Sequence, residues 1–160
     1  MQSALNRSCL PIGTITIENL AWALSRLEYS ARRVLGRAYD EAYHRRNGYV
    51  GSLHVLQALV RDDSDPLVGA LRGRGAGPET ITAGVDHFLG SRRTPRYLHL
   101  PYGPNATAIV FHAACRAQAA TGAGATPGHL WWALSRSTHS RAGALLFNLD
   151  QLDYLQRQTQ

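Results

Sequence analysis

Lysine is missing. All 17 basic residues of this 160-residue chain are arginine, so it holds no Walker-A lysine, no Schiff-base lysine and no lysine general base. An intact P-loop ATPase and pyridoxal-phosphate chemistry are thereby excluded from it. Cysteine is scarce as well. Cys9 and Cys115 stand alone, without the spacings that frame a disulfide scaffold or a zinc site. Charged residues make up 18%, below the usual quarter. No apolar run approaches the roughly 18 residues of a membrane span. Pro11, Gly13, Thr14 and Glu18 interrupt the stretch where a secretory leader would be apolar. The expectation is a soluble, cytoplasmic chain without metal, cofactor or membrane partner.

What remains is a basic chain, net +6, with 44% apolar residues, enough to bury the core of one domain. Its periodicity is helical, and strand signals are nearly absent. Thr16 can cap a helix carrying the apolar stripe Ile17, Leu20, Ala21 and Leu24. Ser30 is read as the cap of a second helix with the stripe Val34, Leu35, Ala38 and Ala42, ending near Asn47 and Gly48. Ser52 is read as the cap of a third. Pro66 marks the start of a fourth, and a fifth spans Pro78–Leu89. The segment 90–104, with Gly90, Pro95, Pro101, Gly103 and Pro104, reads as a linker. Helical patterns resume at Ala106–Thr121, Pro127–Ser135, Arg141–Phe147 and Asp150–Gln158.

The second half repeats the first. His54 and His129 stand 75 positions apart. At the same offset Ala31 meets Ala106, Ala38 meets Ala113, Ala42 meets Ala117, Leu59 meets Leu134 and Leu71 meets Leu146. Two gapless four-helix units imply a pseudo-twofold, all-α domain in which each half completes the other's core.

The opening Ala31–Leu35, the turn Asn47–His54, the linker His99–Ala106 and the second turn Ala125–Leu130 together resemble the double-repeat N-terminal domain of Clp-type AAA+ unfoldases, closest to the ClpC branch. The resemblance covers about residues 27–157. It divides the chain into an extension with a short helix (1–26) and a double-repeat domain (27–160), with repeats at about 27–90 and 102–158 and a linker at 91–101. It implies a non-catalytic binding domain, expected to act free-standing. The implied partner is a peptide, a peptide-like natural product such as a cyclic peptide, or the Clp machinery. Three roles follow: a decoy protecting an unfoldase from a cyclic-peptide antibiotic, an adaptor or regulator of the Clp protease, or a scaffold repurposed as a cofactor-free enzyme of small-molecule biosynthesis. In ClpC-like domains the surface between the two long-helix openings binds cyclic peptides. The matching positions are Arg32, Leu35, Tyr39, Tyr102, Thr107 and Phe111. Aromatics with one arginine suit such a ligand.

Other residues read more plainly. His54 and His129 occupy equivalent helix starts, and repetition favours a scaffold role over a general base or metal ligand. Cys115, among alanines, reads as a buried small hydrophobe. Of Trp131 and Trp132, about 100° apart on a helix, one is expected in the core. The other packs against the extra N-terminal helix or joins a ligand surface. The arginine clusters Arg32-Arg33-Arg37, Arg45-Arg46 and Arg92-Arg93-Arg96 come without a nucleic-acid reading motif, so a solvated basic face is expected and nucleic acid is not.

One departure from the ClpC pattern is decisive for ligand choice. Where that pattern carries the acidic residue that contacts the guanidinium of phosphoarginine, this chain has Leu53 and Gly128. Neither side chain can make the charge-assisted bidentate bonds of a carboxylate. Titration calorimetry with phosphoarginine is therefore expected to show no specific heat, and a micromolar complex would contradict this reading.

Overall fold

The computed structural model describes residues 11–90 and 99–160. Among these, nine helices account for the regular structure: α1 (Ile17–Ser25), α2 (Tyr29–His44), α3 (Ser52–Val60), α4 (Pro66–Gly73), α5 (Pro78–Leu89), α6 (Pro104–Thr121), α7 (Pro127–Arg136), α8 (Arg141–Asn148) and α9 (Leu152–Gln158). Helices α2–α5 and α6–α9 are the two repeats, and α1 is the additional element. Most of the expected 91–101 linker and its arginines, and Cys9, lie outside the described residues.

The helix starts follow local chemistry. Thr16 caps α1 through a reciprocal pair: its Oγ1 accepts the Asn19 N–H at 3.1 Å, and Asn19 Oδ1 accepts the Thr16 N–H at 3.0 Å. Two expected caps move. α2 begins at Tyr29 behind Glu28, not behind Ser30, because the Glu28 backbone is held extended by the second repeat. Ser52 is the first residue of α3, and Gly51 precedes it as the cap; the His54 ring accepts the Gly51 N–H at 2.8 Å.

The halves are joined by a reciprocal exchange. Leu27 makes an isolated parallel bridge to Ala125, and Tyr102 makes one to Val50. The Glu28 N–H reaches the Ala125 carbonyl at 2.9 Å and the Ala125 N–H reaches the Arg26 carbonyl at 2.8 Å; the Gly103 N–H reaches the Val50 carbonyl at 2.8 Å and the Val50 N–H reaches the Pro101 carbonyl at 2.9 Å. Every residue in one set lies 75 positions from its counterpart in the other, as a twofold axis requires. The lead-in of each long helix thus pairs with the turn before the short helix of the opposite repeat.

The core lies between these elements. Residue for residue, α3 is buried, and α6 sinks Ala106, Ile109, Val110, Phe111, Ala113, Ala114, Cys115 and Ala117. Trp131 is the core tryptophan. Its indole Nε1–H donates to Asp65 Oδ2 at 2.9 Å, while Asp65 Oδ1 accepts the Leu67 N–H at 2.9 Å and caps α4. One carboxylate therefore starts a helix of the first repeat and satisfies a buried donor of the second. Asp65→Ala should lower unfolding stability by about 2–4 kcal/mol, combining a lost cap with an orphaned indole N–H. Asp65→Asn should lose about half as much, because its single acceptor oxygen can serve either the Leu67 N–H or the Trp131 indole N–H and its amide nitrogen faces the other donor. Urea denaturation followed by circular dichroism checks both.

Candidate functional site

An apolar groove of about 780 Å³ lies between α1 and the junction of the repeats. One wall is α1, through Ile17, Leu20 and Leu24 with Ile15 and Thr16 before it. The opposite wall is Tyr39 of α2, residues His99–Tyr102, Pro104 and Thr107 of α6. The Tyr39 hydroxyl accepts the Leu100 N–H at 3.2 Å, anchoring that segment to α2. The Tyr39 and His99 rings lie 6.3 Å apart. Burial pushes the Tyr102 phenol above its ordinary pKa, and Tyr39 beside it adds to the effect. The Tyr102 phenol is therefore a neutral hydrogen-bonding group on an otherwise apolar wall.

Of the six residues expected on the ligand surface, Tyr39, Tyr102 and Thr107 converge on this groove. Three do not. Leu35 is buried in the α2 core stripe. Arg32 is exposed on α2, away from the groove lining. Phe111 is 0% exposed, so it is a core residue and not a ligand contact. The repeat explains the correction. Position 36, the counterpart of 111, is an exposed glycine where an added Cβ would meet nothing within 4 Å. The 111 register therefore points outward on the long helix. In the second repeat α1 lies on α6 and closes that face, with Trp22 edge-on to Phe111 at 5.9 Å and 62°.

The α1 stripe also behaves differently from a core stripe. Ala23 is the buried residue of α1, whereas Leu20 and Leu24 are half-buried and Ile17 is 83% exposed. Trp22 and Ala23 make the attachment with Leu20 and Leu24 packed beside them against the core, and Ile17, Leu20 and Leu24 line the groove. Docking of α1 was expected near Trp131 or Trp132; it occurs at Phe111. The groove wall from α1, His99 and Leu100 went unrecognised in the sequence. The one signal there was a stripe broken by Trp22, a large aromatic off its line.

The paired histidines are structural. His54 Nδ1 accepts the Gly51 N–H, which leaves the proton on Nε2 to donate to Asn47 Oδ1 at 2.8 Å. His129 Nδ1 accepts the Thr126 N–H at 3.0 Å in the equivalent place. Burial, aided by Arg45, lowers His54 to about 4, and burial with Arg116 lowers His129. Cys115 is buried. Among the described residues no group of three His, Cys, Asp or Glu side chains is placed to hold a metal, and no helix is long and apolar enough to cross a membrane.

A tandem of two four-helix repeats, locked by crossed backbone bridges and flanked by an apolar groove, is the architecture of a helical binding module. The chain belongs to the Clp repeat (R) N-terminal domain family, whose model matches residues 26–149. Its fold is that of the N-terminal domain of Hsp104 from Candida albicans (14% identity, TM-score 0.69, covering 83% of this chain and 88% of that one). It is equally similar to the N-domain of ClpV from Vibrio cholerae (16%, 0.68, 86% and 85%). The N-terminal domain of the ClpV1 ATPase from E. coli also shares it (22%, 0.65, 89% and 90%).

The His54 shift carries a sign. Its folded pKa lies below the unfolded value of 6.5, so the unfolded state binds the proton first. The stability that neutral His54 provides is present above pH 6.5 and falls as the pH drops towards about 4. The loss from this residue should reach about 3 kcal/mol. Denaturant midpoints of wild type and His54→Gln between pH 7 and pH 4 should converge as the pH falls.

Proposed function

We propose that this protein is a non-catalytic binding domain that holds a peptide or peptide-like natural product in the α1 groove. The observation that carries this reading is the composition of the walls. Residues from α1 and both repeats converge there, with apolar side chains from α1 and aromatic ones opposite, and the hydroxyls of Tyr39, Tyr102 and Thr107 can orient an amide backbone. Sites of this kind, apolar with a few placed polar groups, select small or extended ligands by shape and a handful of hydrogen bonds.

Family membership supports the same reading, because Clp N-terminal domains in general receive the substrates and adaptors of Clp ATPases. Within it, we favour capture of an apolar cyclic peptide, which would make the chain a decoy for a compound aimed at a Clp unfoldase. A rigid cyclic ligand loses little conformational entropy on entering a groove built from helices.

The test is a calorimetric screen of apolar cyclic and linear peptides. A ligand is expected in the micromolar range or tighter. Tyr39→Ala should weaken it by about 2 kcal/mol, near thirtyfold, and Thr107→Arg should fill the groove and abolish binding. Both variants should keep the helical circular-dichroism spectrum. Binding indifferent to both would place the ligand elsewhere and refute the groove.

A further inference from the structure

The two repeats differ most sharply in charge at one equivalent place. In the first repeat Glu41 accepts from Arg61 at 3.1 Å and from Arg45 at 2.6 Å, and Gln57 is bonded to Thr82. The positions 75 residues on are Arg116 for Glu41, Arg136 for Arg61 and Trp132 for Gln57. The carboxylate that neutralises the first site has become a second cation, and an indole stands between. The Arg116 and Arg136 guanidinium carbons lie 5.1 Å and 4.8 Å from the Trp132 ring centroid.

Both arginines are exposed and Trp132 is half-buried. Arg136 is held by neutral acceptors alone: the Trp132 carbonyl at 3.2 Å, Ser135 Oγ at 3.3 Å, Thr159 Oγ1 at 3.2 Å and the Gln156 carbonyl at 3.5 Å. These bonds position its charge without cancelling it. Among the described residues no carboxylate lies within 4.0 Å of either guanidinium. Asp153 borders the adjoining hollow, together with Arg157. The whole segment from Gly103 to Leu149 contains no acidic residue, so the counter-charge is not supplied by the helices that carry the site.

We propose that Arg116, Trp132 and Arg136 form a second binding site, separate from the groove, for an acidic segment of a partner protein. Arg116, together with the Arg136 N–H groups not spent on those four acceptors, can present donors to carboxylates, the geometry arginine uses best. Stacking on the indole holds them there at little entropic cost. The same stacking disfavours a nucleic acid, whose bases would need the indole face that the guanidiniums already cover.

The test uses fluorescence anisotropy at low salt with three labelled probes: a ten-residue Glu/Gly peptide, its Gln/Gly counterpart and decathymidylate. The Glu/Gly peptide should bind at least tenfold more tightly than its neutral counterpart. Arg116→Glu rebuilds the first repeat's ion pair, so its melting temperature should hold or rise while acidic-peptide affinity falls at least tenfold. Arg116→Gln should fall at least threefold and serves if the charge reversal perturbs folding. Arg33→Glu, which makes the same change in net charge on exposed α2, should cost less than threefold. An Arg116→Glu loss no greater than that of Arg33→Glu would reduce the effect to overall charge and overturn the site. Tighter binding of decathymidylate with the same Arg116 dependence would overturn the acidic-protein assignment.

Discussion

Four backbone hydrogen bonds hold the two halves of this molecule in register. They pair the lead-in of each long helix with the turn before the short helix of the other repeat, at 2.8–2.9 Å. Without them the Leu27 and Tyr102 segments would be extended backbone with unpaired polar groups against a buried core. With them, the openings of α2 and α6 are brought to one axis, and α3 and α7 are enclosed. Neither repeat buries enough surface alone, which is why the core runs continuously through both.

On that duplicated frame, the positions that stay alike are buried alanines and leucines of the core and the histidines at the short-helix starts. His54 and His129 accept a backbone N–H at the same place in each half. The positions that diverge are those facing outward. Tyr39 on the groove corresponds to buried Ala114, Arg32 to Thr107, Gly36 to Phe111 and Glu41 to Arg116. The divergence is organised by α1, which lies over the second long helix and so buries on one side what stays exposed on the other. From Gly103 to Leu149 the second repeat carries no acidic residue, whereas the first has Glu28, Asp40, Glu41, Asp62, Asp63 and Asp65 over the matching stretch.

The fold was legible because it is written twice. A constant offset of 75 needs no propensity argument, and the prolines at the starts of α4, α5 and α7 punctuate it. The cap at Glu28 was not legible, since its backbone pairs with Ala125, distant in sequence; the one at Gly51 was missed because the His54 ring, not a cap side chain, takes its N–H. The groove was half legible. Tyr102 and Thr107 sit at the opening of α6, which a twofold brings to the axis, and Tyr39, further along α2, meets them there through its bond to Leu100. Phe111 and Leu35 were misplaced for different reasons: the Leu35 position turns into its own repeat's core, and the Phe111 face is closed by a helix from outside the repeat. Periodicity reports which way a side chain points along its own helix, and is silent on what another segment lays over it.

The way α1 is attached has a consequence for how this surface can change. Trp22 packs against Phe111, and Leu20 and Leu24 pack beside it against the core while Ile17 is left 83% exposed. Leu20 and Leu24 also line the groove, so the same side chains moor the helix and shape its opening. A substitution at either alters the hold of α1 and the contour of the groove together. Ile17 is the position of the stripe where the wall can be redrawn without loosening the helix.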